Sequence, residues 1–321
     1  MKSFSIKNFI KEQSVMLLFV LFILLMVVVK PSFVTLTNIK NVLVDASIYG
    51  VAALAMTIAI ITGAFDLSLS SNFAWAQIFF CFLVNAWGGQ PLGILGAFVV
   101  MALSCIGIGC INGLVVVFGD IPPFIATLGM STVVKGGCLL FTGGNMIAVN
   151  NELITMMGKG TFLGLSYLTW IFIAIVLIAV FVMKYTRFGR ALYATGGNYN
   201  AAKLSGYNVR FYKFSIFAIL GLSAAIAGAM FICLMRAGSV LYGTDLALTC
   251  VAATVVGGTP LTGGKGSVGR TVIGILLIYV LYKGLAFLGL QGYYNTMIRG
   301  LVLLVVVSLD AYMTQSGTIK K

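Results

Sequence analysis

Apolar residues run in blocks of about twenty along this chain, and short polar or Gly/Pro-rich breaks separate the blocks. A helix rises about 1.5 Å per residue, so roughly 20 apolar residues cross about 30 Å of hydrocarbon. Cutting the chain at its breaks predicts about ten spans, near 14–30, 42–64, 67–87, 92–118, 122–142, 162–183, 213–235, 244–258, 268–288 and 296–312. The expected fold class is all-α, a single polytopic membrane domain over 1–321. Pro122 and Pro123 suit the start of the fifth span, where a missing N–H costs little. Gly109-x-x-x-Gly113 and Ala224-x-x-x-Gly228 should let helix backbones approach closely. An apolar run ending in glycine and a polar loop occurs twice, TIAIITGAFDLSLSS (57–71) and AATVVGGTPLTGGKG (252–266), a pattern compatible with internal duplication.

Composition strengthens the membrane reading. Of 321 residues 60% are hydrophobic and 8% charged, with a mean hydropathy of +1.10, against roughly 45–50% apolar and about 25% charged in soluble domains. The net charge of +13 does not point to nucleic acid, because lysines and arginines stand singly between apolar runs and build no continuous basic face. There is no histidine, which removes the commonest general base and metal ligand. Cys81, Cys105, Cys110, Cys138, Cys233 and Cys250 lie inside apolar runs with no C-x-x-C spacing. They read as small packing residues, and no metal site is expected.

Charge does set direction. The first span follows Lys2, Lys7 and Lys11 and runs into VVVKPSF without a small-residue cleavage site, so it is expected to be retained. With the N-terminus inside, inner segments carry thirteen basic residues and outer ones only Lys30, Lys40, Lys159, Arg236 and Arg299, as the positive-inside rule requires. Both termini are then cytoplasmic. Lys135 and Lys283 fall within spans, near enough to the outer ends to snorkel.

The largest inner loop, about 184–213, contains RFGRALYATGGNYNAAKLSGYNV. Asn198 suits an N-cap and Gly206 a helix stop, so NYNAAKLS predicts about two helical turns. Ala201, Leu204 and Ala202 would share a face, with Lys203 beside them. A helix this short is marginal alone in water. Something must hold it, and topology needs only charge, so the loop reads as a docking element.

TRFGRALYATGGNYNAAKLSGYNV followed by FAILGLSAAIAG resembles the signature loop and next helix of the ribose-type (monosaccharide) ABC-importer permeases. ITGAFDLSLSS (61–71), INGLVVVFGDIPPFIATLGM (111–130) and VVGGTPLTGGKGSVGRTVIG (255–274) are similar to further family segments in the same order. The resemblance implies a bacterial inner-membrane permease subunit that pairs with a second copy or a paralogue. It further implies delivery of solute by an extracytoplasmic binding protein and drive from a cytoplasmic ATP-binding subunit, which would bind ATP and magnesium; the permease itself would hold no cofactor. Asn198, Ala201, Ala202, Lys203, Leu204 and Gly206 would then form the coupling helix. Ser70 departs from the pattern, since the family has glycine at that point after Asp66-Leu67-Ser68-Leu69.

Polar side chains inside spans are costly and face a bundle interior. Asp66, Ser68, Asn72, Gln77, Asn112 and Thr127 are the candidates for a translocation path, because hydroxyls, amides and carboxylates can exchange hydrogen bonds with a sugar as it sheds water. Interhelical bonding is the competing role for Asn112, Gln77 and Thr127, and Asp66 suits a latch that accepts N–H bonds around Ser68. GGTPLTGGKGS is not a phosphate loop: Gly264 stands where the lysine belongs and Gly266 where Ser or Thr would hold magnesium. A secondary transporter is the alternative function, disfavoured because the acids, Asp45 and Asp245 among them, fall in loops or near span ends. A membrane enzyme is disfavoured by the missing histidine and unclustered carboxylates.

Overall fold

The computed structural model describes residues 14–290 and isolated helical positions between 294 and 308. The tenth expected span, 296–312, falls mostly outside the described residues, as do the terminal lysines and Arg299. The described chain is helical, with two small ribbons. Its helices are α1 (Ser14–Val29), α2 (Leu36–Ile61), α3 (Leu69–Ala86), α4 (Pro91–Val117), α5 (Pro123–Thr142), α6 (Glu152–Lys159), α7 (Tyr167–Tyr185), α8 (Arg187–Gly197), α9 (Tyr199–Leu204), α10 (Val209–Met235), α11 (Leu246–Val256) and α12 (Val268–Phe287). Seven of them, α2, α3, α4, α5, α7, α10 and α12, are long and apolar enough to cross a membrane, while α11 is apolar but short.

The centre is α2. From Ala46 to Ile61 it is almost wholly apolar and buried nearly without interruption, as a helix surrounded by other helices must be. Thr35 caps it by accepting the Asn38 N–H. That cap lets the helix start at Leu36, a turn and a half before the expected 42, and it carries Asp45 well inside the helix.

The closest helix pair is α4 with α10, and glycine is the reason. A Cβ at Gly109 would overlap the Phe217 carbonyl, one at Gly113 would lie 2.8 Å from the Phe214 ring, and one at Gly221 would overlap the Cys105 carbonyl. Gly228 turns the other way and meets Ala76 of α3. A polar tie joins α2, α11 and α12: Thr57 Oγ1 lies 2.9 Å from Thr254 Oγ1 and 2.7 Å from Thr271 Oγ1. All three hydroxyls are buried.

The duplicated pattern has a structural counterpart. Helix α2 ends with Gly63 at φ 76 and α11 with Gly258 at φ 82. In both, the glycine N–H bonds three residues back and the next N–H five residues back, Ala64 to Ala59 and Thr259 to Thr254, which is the Schellman stop. The two ends lie side by side at one face of the molecule, where Gly264 N–H donates to the Ile61 carbonyl at 2.8 Å. That face also carries α8 and α9. The opposite face carries α6, the Thr161–Phe162 and Leu165–Ser166 hairpin, and an antiparallel pairing of Ile147–Ala148 with Ala237–Gly238.

Candidate functional site

Two assemblies merit attention: a polar cluster behind the stop of α2, and the glycine-rich junction beneath α9. After Gly63 the chain is non-helical for a few residues before α3 begins. Asp66 sits in this bend, almost fully buried. Its carboxylate accepts from Ser68 N–H at 2.7 Å, from Ser68 Oγ at 2.6 Å and from Asn112 Nδ2 at 3.2 Å. Asn112 Nδ2 also donates to Ser68 Oγ at 2.7 Å. On the other side Thr127 Oγ1, at the foot of α5, accepts the Leu67 N–H at 3.1 Å and donates to the Pro123 carbonyl. The bend is thus held by a neutral donor from α4 and a neutral acceptor from α5, as well as by its own serine.

Four of the six candidate path residues, Asp66, Ser68, Asn112 and Thr127, therefore converge. Asn72 stands apart, donating to the Cys105 carbonyl at 3.1 Å. Gln77 lies farther along α3, with both amide atoms buried and unpartnered. The backbone of Gly238 packs directly on it. All six are buried, so in this conformation the cluster is packed rather than open. Asn112 and Asn72 each keep an unpartnered Oδ1, capacity that an amide can offer to a passing hydroxyl.

Ser70 acquires a purpose. Its Oγ accepts the Ala247 N–H at 2.9 Å, which satisfies one of the orphan donors in the first turn of α11 and ties α3 to α11. A glycine there would leave that donor without this partner.

The docking loop lies at the face of the molecule where α2 and α11 end. Thr186 caps α8 through the Gly189 N–H, and Asn198 Oδ1 caps α9 through the Ala201 N–H at 3.0 Å. Gly206 at φ 86 stops α9, with the Tyr207 N–H reaching back to the Ala202 carbonyl. Lys213 of α10 lies over the Tyr199 ring, 5.3 Å from its centroid, and pins the short helix. Leu204 is 89% exposed, whereas Ala202 is buried against the body. The exposed apolar positions of α9 are therefore Tyr199, Ala201 and Leu204, and Ala202 belongs to the inward side instead of sharing the outer face.

Beneath α9 the contacts are backbone against backbone. A Cβ on Gly196 would overlap the Ile61 carbonyl and lie 2.9 Å from the Gly264 nitrogen, and one on Gly264 would lie 2.6 Å from Gly197 Cα. Tyr193 Oη donates to the Gly266 carbonyl at 3.0 Å, and partial burial raises the pKa of that phenol. The segment GGTPLTGGKGS is accordingly a wedge between α2 and α8, its glycines serving close approach.

Two sequence expectations about charge are corrected. Lys283 does not snorkel free: its Nζ pairs with Asp45 at 2.7 Å. Of the acids, Asp66 lies in the bend before α3 and Asp245 at the N-cap of α11, as expected, but Asp45 lies inside α2. By helix rise, the start of α11 is about 16 Å from its glycine stop, roughly halfway through a bilayer core. The acid-placement argument against a secondary transporter therefore loses its force, and the relatives decide the question.

A family model described as "Branched-chain amino acid transport system / permease component" matches residues 38–307. The ribose import permease protein RbsC of Escherichia coli (strain K12) is 33% identical over 312 residues, 95% of each chain. RbsC of Bacillus subtilis (strain 168) is 36% identical over 296 residues, 90% of each. The L-arabinose ABC transporter permease protein AraH of Azospirillum brasilense is 32% identical over 298 residues, 93% of this chain and 86% of its own. No solved structure matches the chain.

Proposed function

Because the chain belongs to the ribose-type permeases within the family of transport-system permease components, we propose that it is the membrane-spanning subunit of an ABC importer for a monosaccharide. The carrying observation is full-length similarity to permeases named for ribose, L-arabinose and galactose, which favours sugars over the amino acids in the family description. It is a multi-pass protein of the inner membrane, and its role is transport, with no ATPase site of its own.

About ten spans with both termini in the cytoplasm would place α8 and α9 inside and α6 outside. Helix α9 is then the coupling helix, with Ala201 and Leu204, and Tyr199 beside them, seated in a separate ATP-binding subunit. An extracytoplasmic solute-binding protein loads the outer face, and a second copy or paralogue completes the path. Asp66, Ser68, Asn112 and Thr127 act at the inner end of that path, with Asn72 and Gln77 along α3. ATP and magnesium belong to the partner.

Leu204→Asp tests the reading. It sets a carboxylate into what should be an apolar groove, at a cost of several kcal/mol when desolvated and unpaired. Co-purification with the ATP-binding subunit, and ATPase activity stimulated by loaded binding protein, should both fall while insertion stays normal. Unchanged association would reduce the loop to a topological anchor.

A further inference from the structure

A groove opens between the start of α2 and the end of α12. The two helices run antiparallel and pair in a four-residue register: Thr57 with Thr271, Tyr49 with Tyr279, Asp45 with Lys283. Residues four apart share a helix face, so the same register brings Asn41 and Phe287 to the rim. There the walls part. Thr37, Asn38 and Asn41 on one side and Lys283 and Phe287 on the other line a pocket of about 470 Å³, within the range of ligand pockets, about 300–1,000 Å³. Lys283 and Asp45 keep 33% and 22% of their side-chain exposure. A charged pair set among apolar spans is stable beside a water-filled recess and unstable against lipid, so the groove is wet.

We propose that this groove is an outer subsite for a neutral polyhydroxylated solute, in which Lys283, its charge balanced by Asp45 behind it, donates and Asn41 both donates and accepts. The assignment rests on the importer reading above. The pair carries no net charge, so the pocket favours neither anions nor cations. Both partners keep hydrogen-bonding capacity after pairing, because a carboxylate has about four lone-pair sites and an ammonium three donors. Phe287 supplies an apolar wall. Deeper along the same register the Tyr49 and Tyr279 rings lie 5.0 Å apart, and Tyr49 leads on to Phe73 at 5.9 Å.

The test uses the complete importer in liposomes, permease with ATP-binding subunit and binding protein, and radiolabelled D-ribose, L-arabinose and D-galactose. Asn41→Ala alters an exposed side chain, so assembly and basal ATPase activity should stay unchanged while sugar moved per ATP falls about fivefold, as loss of one hydrogen bond predicts. The reversed pair, Asp45→Lys with Lys283→Asp, keeps the tie between helices but exchanges acceptor and donor, and should assemble without restoring transport. Full transport by either variant overturns the subsite and leaves the pair a structural tie. Should the unaltered importer move none of the three sugars, the monosaccharide reading fails by itself, and labelling then judges the groove. Asn41→Cys should react with a membrane-impermeant maleimide added outside, and an excess of whichever sugar the importer moves, or of the neutral polyol ribitol where it moves none, should slow that reaction; an unchanged rate overturns the proposal.

Discussion

Gly196→Ala adds one methyl at the tightest point of the junction beneath α9. The new Cβ would overlap the Ile61 carbonyl and stand 2.9 Å from the Gly264 nitrogen, and both obstacles are backbone, with no rotamer to yield. Helix α8 must therefore move away from α2. Overpacking of this kind costs about 1–3 kcal/mol, and losing the 2.8 Å bond from Gly264 N–H to the Ile61 carbonyl would add about 1 kcal/mol. Helix propensity works the other way by up to about 1 kcal/mol, which leaves a net loss of roughly 1–3 kcal/mol. Gly197→Ala is the matched control, because a Cβ there meets nothing within 4 Å. Thermal unfolding of the purified permease, followed together with ATPase stimulation in liposomes, should show a lower transition and weaker coupling for Gly196→Ala alone. Equal behaviour of the two variants would refute the idea that α8 and α2 communicate through this contact.

Three further outcomes follow from the hydrogen bonds. Ser70→Gly removes the acceptor of the Ala247 N–H and should destabilise the α3–α11 tie by about 1–3 kcal/mol, read as a lower unfolding transition in detergent; an unchanged transition would mean the tie contributes nothing. Asn112→Ala leaves Asp66 buried with fewer donors, so transport should drop by at least about tenfold with unchanged membrane insertion; a drop in insertion alone would make Asn112 purely architectural. Asn198→Ala deletes the cap of α9 at about 1 kcal/mol and should produce a milder form of the Leu204→Asp defect, measured as ATP-binding subunit retained on the permease.

What was legible in the sequence was what depends on neighbours along the chain. Spans such as 123–142 and 268–287 emerged within a residue or two because apolar runs and proline define their ends. The caps of α9 were visible because Asn and Gly each have one physical reason to stand there. The bend at Asp66–Ser68 was visible for the same reason, two residues apart and hydrogen-bonded locally. Contacts across the fold were not. Asp45 and Lys283 lie on helices far apart in sequence, and no local pattern announces their pairing. Helix α8 went unnoticed because Gly189, Gly196 and Gly197 argue against a helix, yet the tertiary contacts of Gly189 and Gly196 require glycine. Ser70 looked like a departure until α11 supplied the donor that faces it.

The paired glycine stops of α2 and α11 point the same way, both toward the α8 face. In transporters built from inverted repeats, letting the halves exchange conformations converts an outward-open state into an inward-open one, so both states come at similar energy from one protein. Exchange between two units that point in the same direction returns an opening to the same side. The two stops of this chain are therefore not an inverted pair of that kind.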